Sequence, residues 1–96
     1  MDYIFEVIDK SGRKIHLSKE RWSHIRIEHP EILEPEEIEK VLLNPIKIME
    51  SDRDETVGWY YLYNKNKRYY LKVSVKYLNG EGYVITAHYT TKIQWK

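Results

Sequence analysis

The 96-residue chain predicts a single α+β domain in the order β-β-α-α-β-β-β-β, with two helices packed on one face of a twisted antiparallel sheet. Three observations predict it. Apolar residues recur at helical spacing only between about residues 19 and 43, and alternate on either side of that region. Strong turn sequences, DKSG at 9–12 and NGEG at 79–82, separate the alternating stretches. The length suits one modest core and no more.

YIFEVI, residues 3–8, reads as a strand and RKIHL, residues 13–17, as its return. His16 lies between Ile15 and Leu17, faces away from them, and reads as a surface residue without a role. A helix over about residues 19–29 follows. Ser18 is a good N-cap, and Pro30 pushes the residue before it out of the helical region. Trp22 and Ile25 mark its core side. Arg26 and His29 share that face, and Arg21, His24 and Glu28 share another. Pro35 opens a second helix, with Glu36 and Glu37 at the positive end of its dipole and Asn44-Pro45 as the stop. Ile38, Val41 and Leu42 form its apolar face.

Beyond Pro45 four strands are expected, at 46–50, 57–63, 68–78 and 83–95, joined by turns at 51–56, 64–67 and 79–82. Alternation in the third puts Tyr69, Leu71, Val73, Val75 and Tyr77 on one side, and Arg68, Tyr70, Lys72, Ser74 and Lys76 on the other. In the last strand Tyr83, Ile85, Ala87, Tyr89 and Ile93 oppose Val84, Thr86, His88, Thr90 and Lys92. The expected core is therefore Trp22, Ile25, Ile38, Val41, Leu42, Leu71, Val73 and Ile85.

Composition narrows the function. The chain has no cysteine, which excludes disulfides and thiol chemistry, and its four histidines lack metal-ligand spacing. No metal or other cofactor is expected. No apolar run has the length of a membrane span, and the acidic, polar start is unlike a signal peptide. The expectation is a cytoplasmic protein with no membrane partner. Residues 1–57 carry 9 Lys/Arg against 14 Asp/Glu, whereas residues 58–96 carry 7 Lys/Arg and 1 Glu. That basic, tyrosine-rich part suits single-stranded nucleic acid, with charge for phosphate and ring faces for bases. A solvated sheet face, with lysines discouraging edge pairing, is the competing reading.

Hairpin pairing of the last two strands would gather Lys72, Lys76, Lys92, His88, Thr86, Thr90 and Ser74 on one surface. Cations there can hold a phosphate while an imidazole moves protons. The other concentration of acid–base groups is RWSHIRIEHPEI, residues 21–32. Taken singly, His24 reads as an exposed histidine and His29 as a cation at a helix C-terminus.

Read together, these stretches resemble the barnase–EndoU–colicin–RelE (BECR) nuclease superfamily, most closely its phage-encoded members. The pattern is W-x-H-I … H-P-E, an N-P after the second helix, and a late T-A-x-x-T. Here it falls on Trp22, His24, Ile25, His29, Pro30, Glu31, Asn44, Pro45, Thr86, Ala87 and Thr90. The resemblance spans residues 15–93 and implies a metal-independent, toxin-like ribonuclease in which the ribose 2′-OH attacks the adjacent phosphate. It implies His24 and His29 as the acid–base pair, and Thr86 and Thr90 as phosphate-binding residues. His88 stands where relatives are expected to carry an aromatic residue, so it is either a third catalytic histidine or a neutral replacement. Lys72, Lys76 and Lys92 complete the expected substrate surface. RNA is the expected partner, and a cognate inhibitor protein is a further one that the resemblance implies. A non-catalytic RNA- or protein-binding module on the same basic face is the alternative.

Overall fold

One buried carboxylate fastens the hairpin that begins the chain. In the computed structural model, which describes residues 3–93, β1 (Tyr3–Ile8) and β2 (Lys14–Ser18) pair antiparallel. Asp9, only 5% exposed, sits at their turn. The Ser11 and Arg13 amides donate to its carboxylate at 3.0 and 2.8 Å, and the Ser11 and Tyr60 hydroxyls donate as well. Tyr77 donates to the Tyr60 oxygen at 2.9 Å, and the Arg13 guanidinium lies 4.0 Å from the centre of the Tyr77 ring. These donors replace the water that a buried carboxylate loses. Burial, reinforced by Asp9, raises the Tyr60 hydroxyl well above the usual phenol range and keeps it a donor. The Lys10 amide donates to the Leu42 carbonyl at 3.0 Å and ties the same turn to the second helix.

Ser18 ends β2 and caps α1 (Lys19–Glu28), its hydroxyl accepting from the Arg21 amide at 3.0 Å. His29 is the C-cap and Pro30 prevents continuation. α2 (Pro35–Leu43) begins where expected, and the Glu37 carboxylate accepts from the Leu33 and Glu34 amides at 2.9 and 3.0 Å. β3 (Lys47–Glu50), β4 (Val57–Asn64), β5 (Tyr69–Tyr77) and β6 (Glu81–Thr90) complete the sheet, in the spatial order β1-β2-β6-β5-β4-β3. Gly80 adopts φ 79° in the β5–β6 turn, a left-handed conformation that glycine accepts without strain. Ile15, Leu17, Ile25, Ile38, Leu42 and Val73 belong to one buried cluster, so both helices cover the same face. Among the described residues no helix is long and apolar enough to cross a membrane.

The structure departs from the sequence reading in four places. The sheet is mixed, because β2 runs parallel to β6 along Lys14–His16 and Glu81–Tyr83. Alternation assigns faces, but it does not say which edges two hairpins present to each other. The second departure is in the core. Val75 pairs with Val84 and Ser74 with Thr86, which leaves Ile85 as the extra residue of a bulge. One extra residue reverses the faces before it. Val84 is therefore buried, Ile85 is not, and Tyr83 lies beside His16 with ring centres 6.1 Å apart. Third, Trp22 is only partly buried, since Ile25 is the one fully buried side chain α1 contributes. Fourth, the last strand stops at Thr90; the expected continuation to residue 95 lies partly outside the described residues.

Removing the Tyr60 hydroxyl leaves Asp9 one donor short and the Tyr77 hydroxyl without its acceptor. Tyr60→Phe should destabilise the fold by about 1–3 kcal/mol. Urea unfolding measures this against Tyr63→Phe, an exposed tyrosine whose change should leave the midpoint nearly unmoved.

Candidate active site

The site lies where β6 outruns β2. β2 pairs with β6 only as far as Tyr83, and β6 continues to Thr90. Among the described residues no strand takes that edge beyond Tyr83. α1 follows β2 without a loop and packs beside β6, so the C-terminal end of the helix reaches the open edge. The Arg26 guanidinium secures the corner after it, donating to the Pro30 and Ile32 carbonyls at 2.6 and 2.7 Å. Ile32 is fully buried, and its amide donates to the His29 carbonyl at 3.1 Å. A side chain at position 29 is thus anchored on both sides.

His29 meets His88 of β6 there, their ring centres 5.5 Å apart. The Glu31 carboxylate lies 3.7 Å from His29 Nδ1, an ion pair when the imidazole is protonated. Lys72 is the cross-strand partner of His88, and its ammonium sits 3.8 Å from the centre of the Trp59 ring. On the same face this pair is flanked on one side by Ser74 opposite Thr86 and on the other by Tyr70 opposite Thr90. Burial lowers the pKa of His88, and the charges of Lys72 and His29 lower it further, against a smaller opposing effect of Glu31. Burial also lowers Lys72, opposed by Asp52.

The expected site residues therefore divide. His29, His88 and Lys72 converge, with Thr86 and Thr90 alternating with His88 along β6. His24 does not join them. It is exposed on α1, and among the described residues its side chain makes no hydrogen bond, ion pair or ring contact. Helical spacing points it away from the edge that His29 turns around. Lys76 lies on the same sheet face but is held elsewhere, 3.2 Å from Asp54 and 2.5 Å from the Thr56 hydroxyl. Hydrogen bonds from the Thr56 hydroxyl and amide, then from Lys76, hold Asp54 down at about 2. Lys92 is exposed beyond the end of β6, where its carbonyl accepts from the Thr90 hydroxyl at 3.3 Å.

Sequence reasoning missed Glu31 as a partner of His29, although the H-P-E motif contains it. It also missed His16, whose ring stacks on Tyr3 with centres 3.9 Å apart. Among the described residues, no three His, Asp or Glu side chains are gathered as a metal-ligand set. Comparison with known proteins returned no family model, no curated protein and no solved structure that matches the chain.

The position of His88 sets a pH dependence of stability. An unfolded histidine titrates near about 6.5, and folded His88 titrates lower. Below about pH 6.5 the unfolded chain binds the extra proton first, so stability falls as pH drops. His88→Gln should flatten that decline. Urea midpoints between about pH 7.5 and pH 5 compare the two proteins; parallel decline in both would mean that His88 titrates as an ordinary exposed histidine.

Proposed function

We propose that this protein is a metal-independent endoribonuclease that cleaves RNA through attack of the ribose 2′-OH. The observation that carries the reading is the meeting of His29 and His88, far apart in the chain, beside Lys72. Such cleavage needs a group to take the 2′ proton, a group to protonate the leaving 5′-oxygen, and a cation to hold the phosphate. Two imidazoles fill both proton roles near neutrality.

The surroundings suggest the division of labour. His88 is partly buried and flanked by cations, so it is neutral at pH 7 and suited to act as base. His29 has Glu31 at Nδ1, which compensates the charge of the protonated ring and orients Nε2 for use as acid. The 2′-oxygen forms a bond to phosphorus as His88 takes its proton. The bond from phosphorus to the 5′-oxygen breaks as His29 supplies one. The products are a 2′,3′-cyclic phosphate and a free 5′-hydroxyl. Lys72 and the Thr86 hydroxyl would stabilise the charge that builds on the phosphate. This assignment moves the acid–base pair from His24 and His29 to His29 and His88. The BECR resemblance implies the same reaction class, although of its two pattern histidines only His29 lies in this site.

A second reading has its own support. Lys72 over Trp59, and Tyr70 packed edge-on to Tyr63 with ring centres 5.0 Å apart, form an aromatic and cationic sheet face that can bind RNA without cutting it.

Cleavage of a uniformly labelled RNA, followed on gels in EDTA, separates the two. The wild type should leave cyclic phosphate ends and should fail on RNA methylated at the 2′-oxygen. His29→Ala and His88→Ala should each lose roughly 10²–10⁴-fold in rate, and His24→Ala should keep most of it. Wild-type rates from the double variant His29→Ala, His88→Ala would overturn the proposal. RNA bound but never cut would leave the binding reading in its place.

A further inference from the structure

A cleft begins beside Glu31 and runs along the helix-covered side of the sheet. Its first part, about 440 Å³, is lined by Glu31, Lys67, Tyr69 and Tyr89. Its second, about 480 Å³, shares Tyr89 and extends between α2 and the β4–β5 turn, over Val41, Leu62 and Leu71, to Lys40 and Lys65. We infer that this cleft receives the nucleotides of a single-stranded RNA next to the scissile phosphate, so that the strand turns around the open edge of β6 instead of lying along the outer sheet face.

Size, lining and charge argue for this occupant. Each part has room for about one base in a site of ordinary ligand-pocket dimensions. The walls combine apolar side chains with the exposed Tyr69 and the Tyr89 shared by both parts, aromatic surface on which bases stack. Three lysines stand at the rim. The two carboxylates that also line the cleft are already engaged. Glu37 accepts from the Tyr89 hydroxyl at 2.6 Å and from two amides of the α2 cap, and Glu31 faces His29. On the outer face Lys76 is paired with Asp54, and Lys72 lies beside His88, where the scissile phosphate itself would take it.

The β4–β5 turn that supplies two of these lysines is built rigidly. The Asn64 side-chain oxygen accepts from the Asn66 and Lys67 amides at 3.0 and 3.1 Å, and the Arg68 amide donates to the Asn64 carbonyl at 2.8 Å. Arg68 adopts φ 61°, a left-handed conformation in which glycine or asparagine would be less strained. The Lys67 ammonium lies 3.4 Å from the Glu31 carbonyl and 5.1 Å from the centre of the Tyr89 ring, and so joins the turn to the corner carrying His29.

The inference rests on the ribonuclease reading for its orientation, and its test separates the two. The probes are a dinucleotide and a hexamer of RNA, each also made with 2′-O-methyl groups for binding. The wild type should bind the methylated hexamer more tightly than the methylated dinucleotide. Lys40→Glu with Lys65→Glu, both exposed or half-exposed, should weaken hexamer binding and reduce the slope of log K against log salt by about 0.7 for each phosphate that is no longer neutralised. Tyr69→Ala should weaken hexamer binding by about fivefold or more. Dinucleotide cleavage should be unchanged in both variants. Hexamer binding at the wild-type level in both variants overturns the cleft as a subsite, even if both probes are cut. Weakened hexamer binding in the variants, with no cleavage by any protein, upholds the cleft and overturns the ribonuclease reading instead. Failure of the wild type to bind either probe overturns both.

Discussion

The length mismatch between β2 and β6 is the constraint on which the site depends. Their parallel pairing covers only Lys14–His16 against Glu81–Tyr83, and two residues later, at Ser18, the chain leaves β2 and enters a helix at once. A strand edge without a partner exposes hydrogen-bonding groups, and covering it with a helix is one way proteins manage it. α1 leaves this edge open: it packs on the helix-covered face, and its C-cap His29 comes to lie beside His88. A β2 long enough to pair all of β6 would hold α1 away from that histidine. The geometry of a shared edge, more than any property of the histidines themselves, makes them neighbours.

The hydrogen bonds that hold this arrangement are at its margins. Asp9 gathers donors from its own turn and from Tyr60, and so joins the first hairpin to the middle of the sheet. Arg26 fixes the corner at residues 29–32, and Glu37 joins the start of α2 to Tyr89. Each is a charged group whose hydrogen bonds are supplied by the protein, the condition under which burying or half-burying charge is tolerated. Between these points the core is largely apolar. The specificity of the fold resides in where the two hairpins and two helices are pinned to each other.

The electrostatics follow from that placement. His88 is surrounded by Lys72, His29 and Glu31, of which only Glu31 is acidic. Two like charges beside a partly buried imidazole push it toward neutrality, while the carboxylate stands with the other ring. Chemically similar groups thus acquire different environments within a few ångströms, the condition under which one can take a proton and the other give one. The cations differ in the same way. Lys76 is paired with Asp54, Lys72 lies over Trp59 beside His88, and the lysines of the β4–β5 turn are exposed.

Local chemistry was legible in the amino-acid sequence. The Ser18 cap, the Pro30 and Pro35 boundaries, the apolar face of α2 and the inward side of β5 all follow from single residues or from periodicity, because they depend on near neighbours in the chain. Alternation along the last two strands likewise grouped Lys72, Thr86, His88 and Thr90 on one surface, whereas His29 became a candidate acid–base residue only through the BECR resemblance. Three things required the tertiary structure. The parallel junction of the hairpins depends on which edges meet. The bulge at Ile85, which exchanges it with Val84 in the core, depends on cross-strand register. The pairing of His29 with His88, and not with His24, depends on where a helix end comes to rest against another strand. Residues on separate elements share a site only through packing, and neither spacing nor alternation along one chain carries that distance.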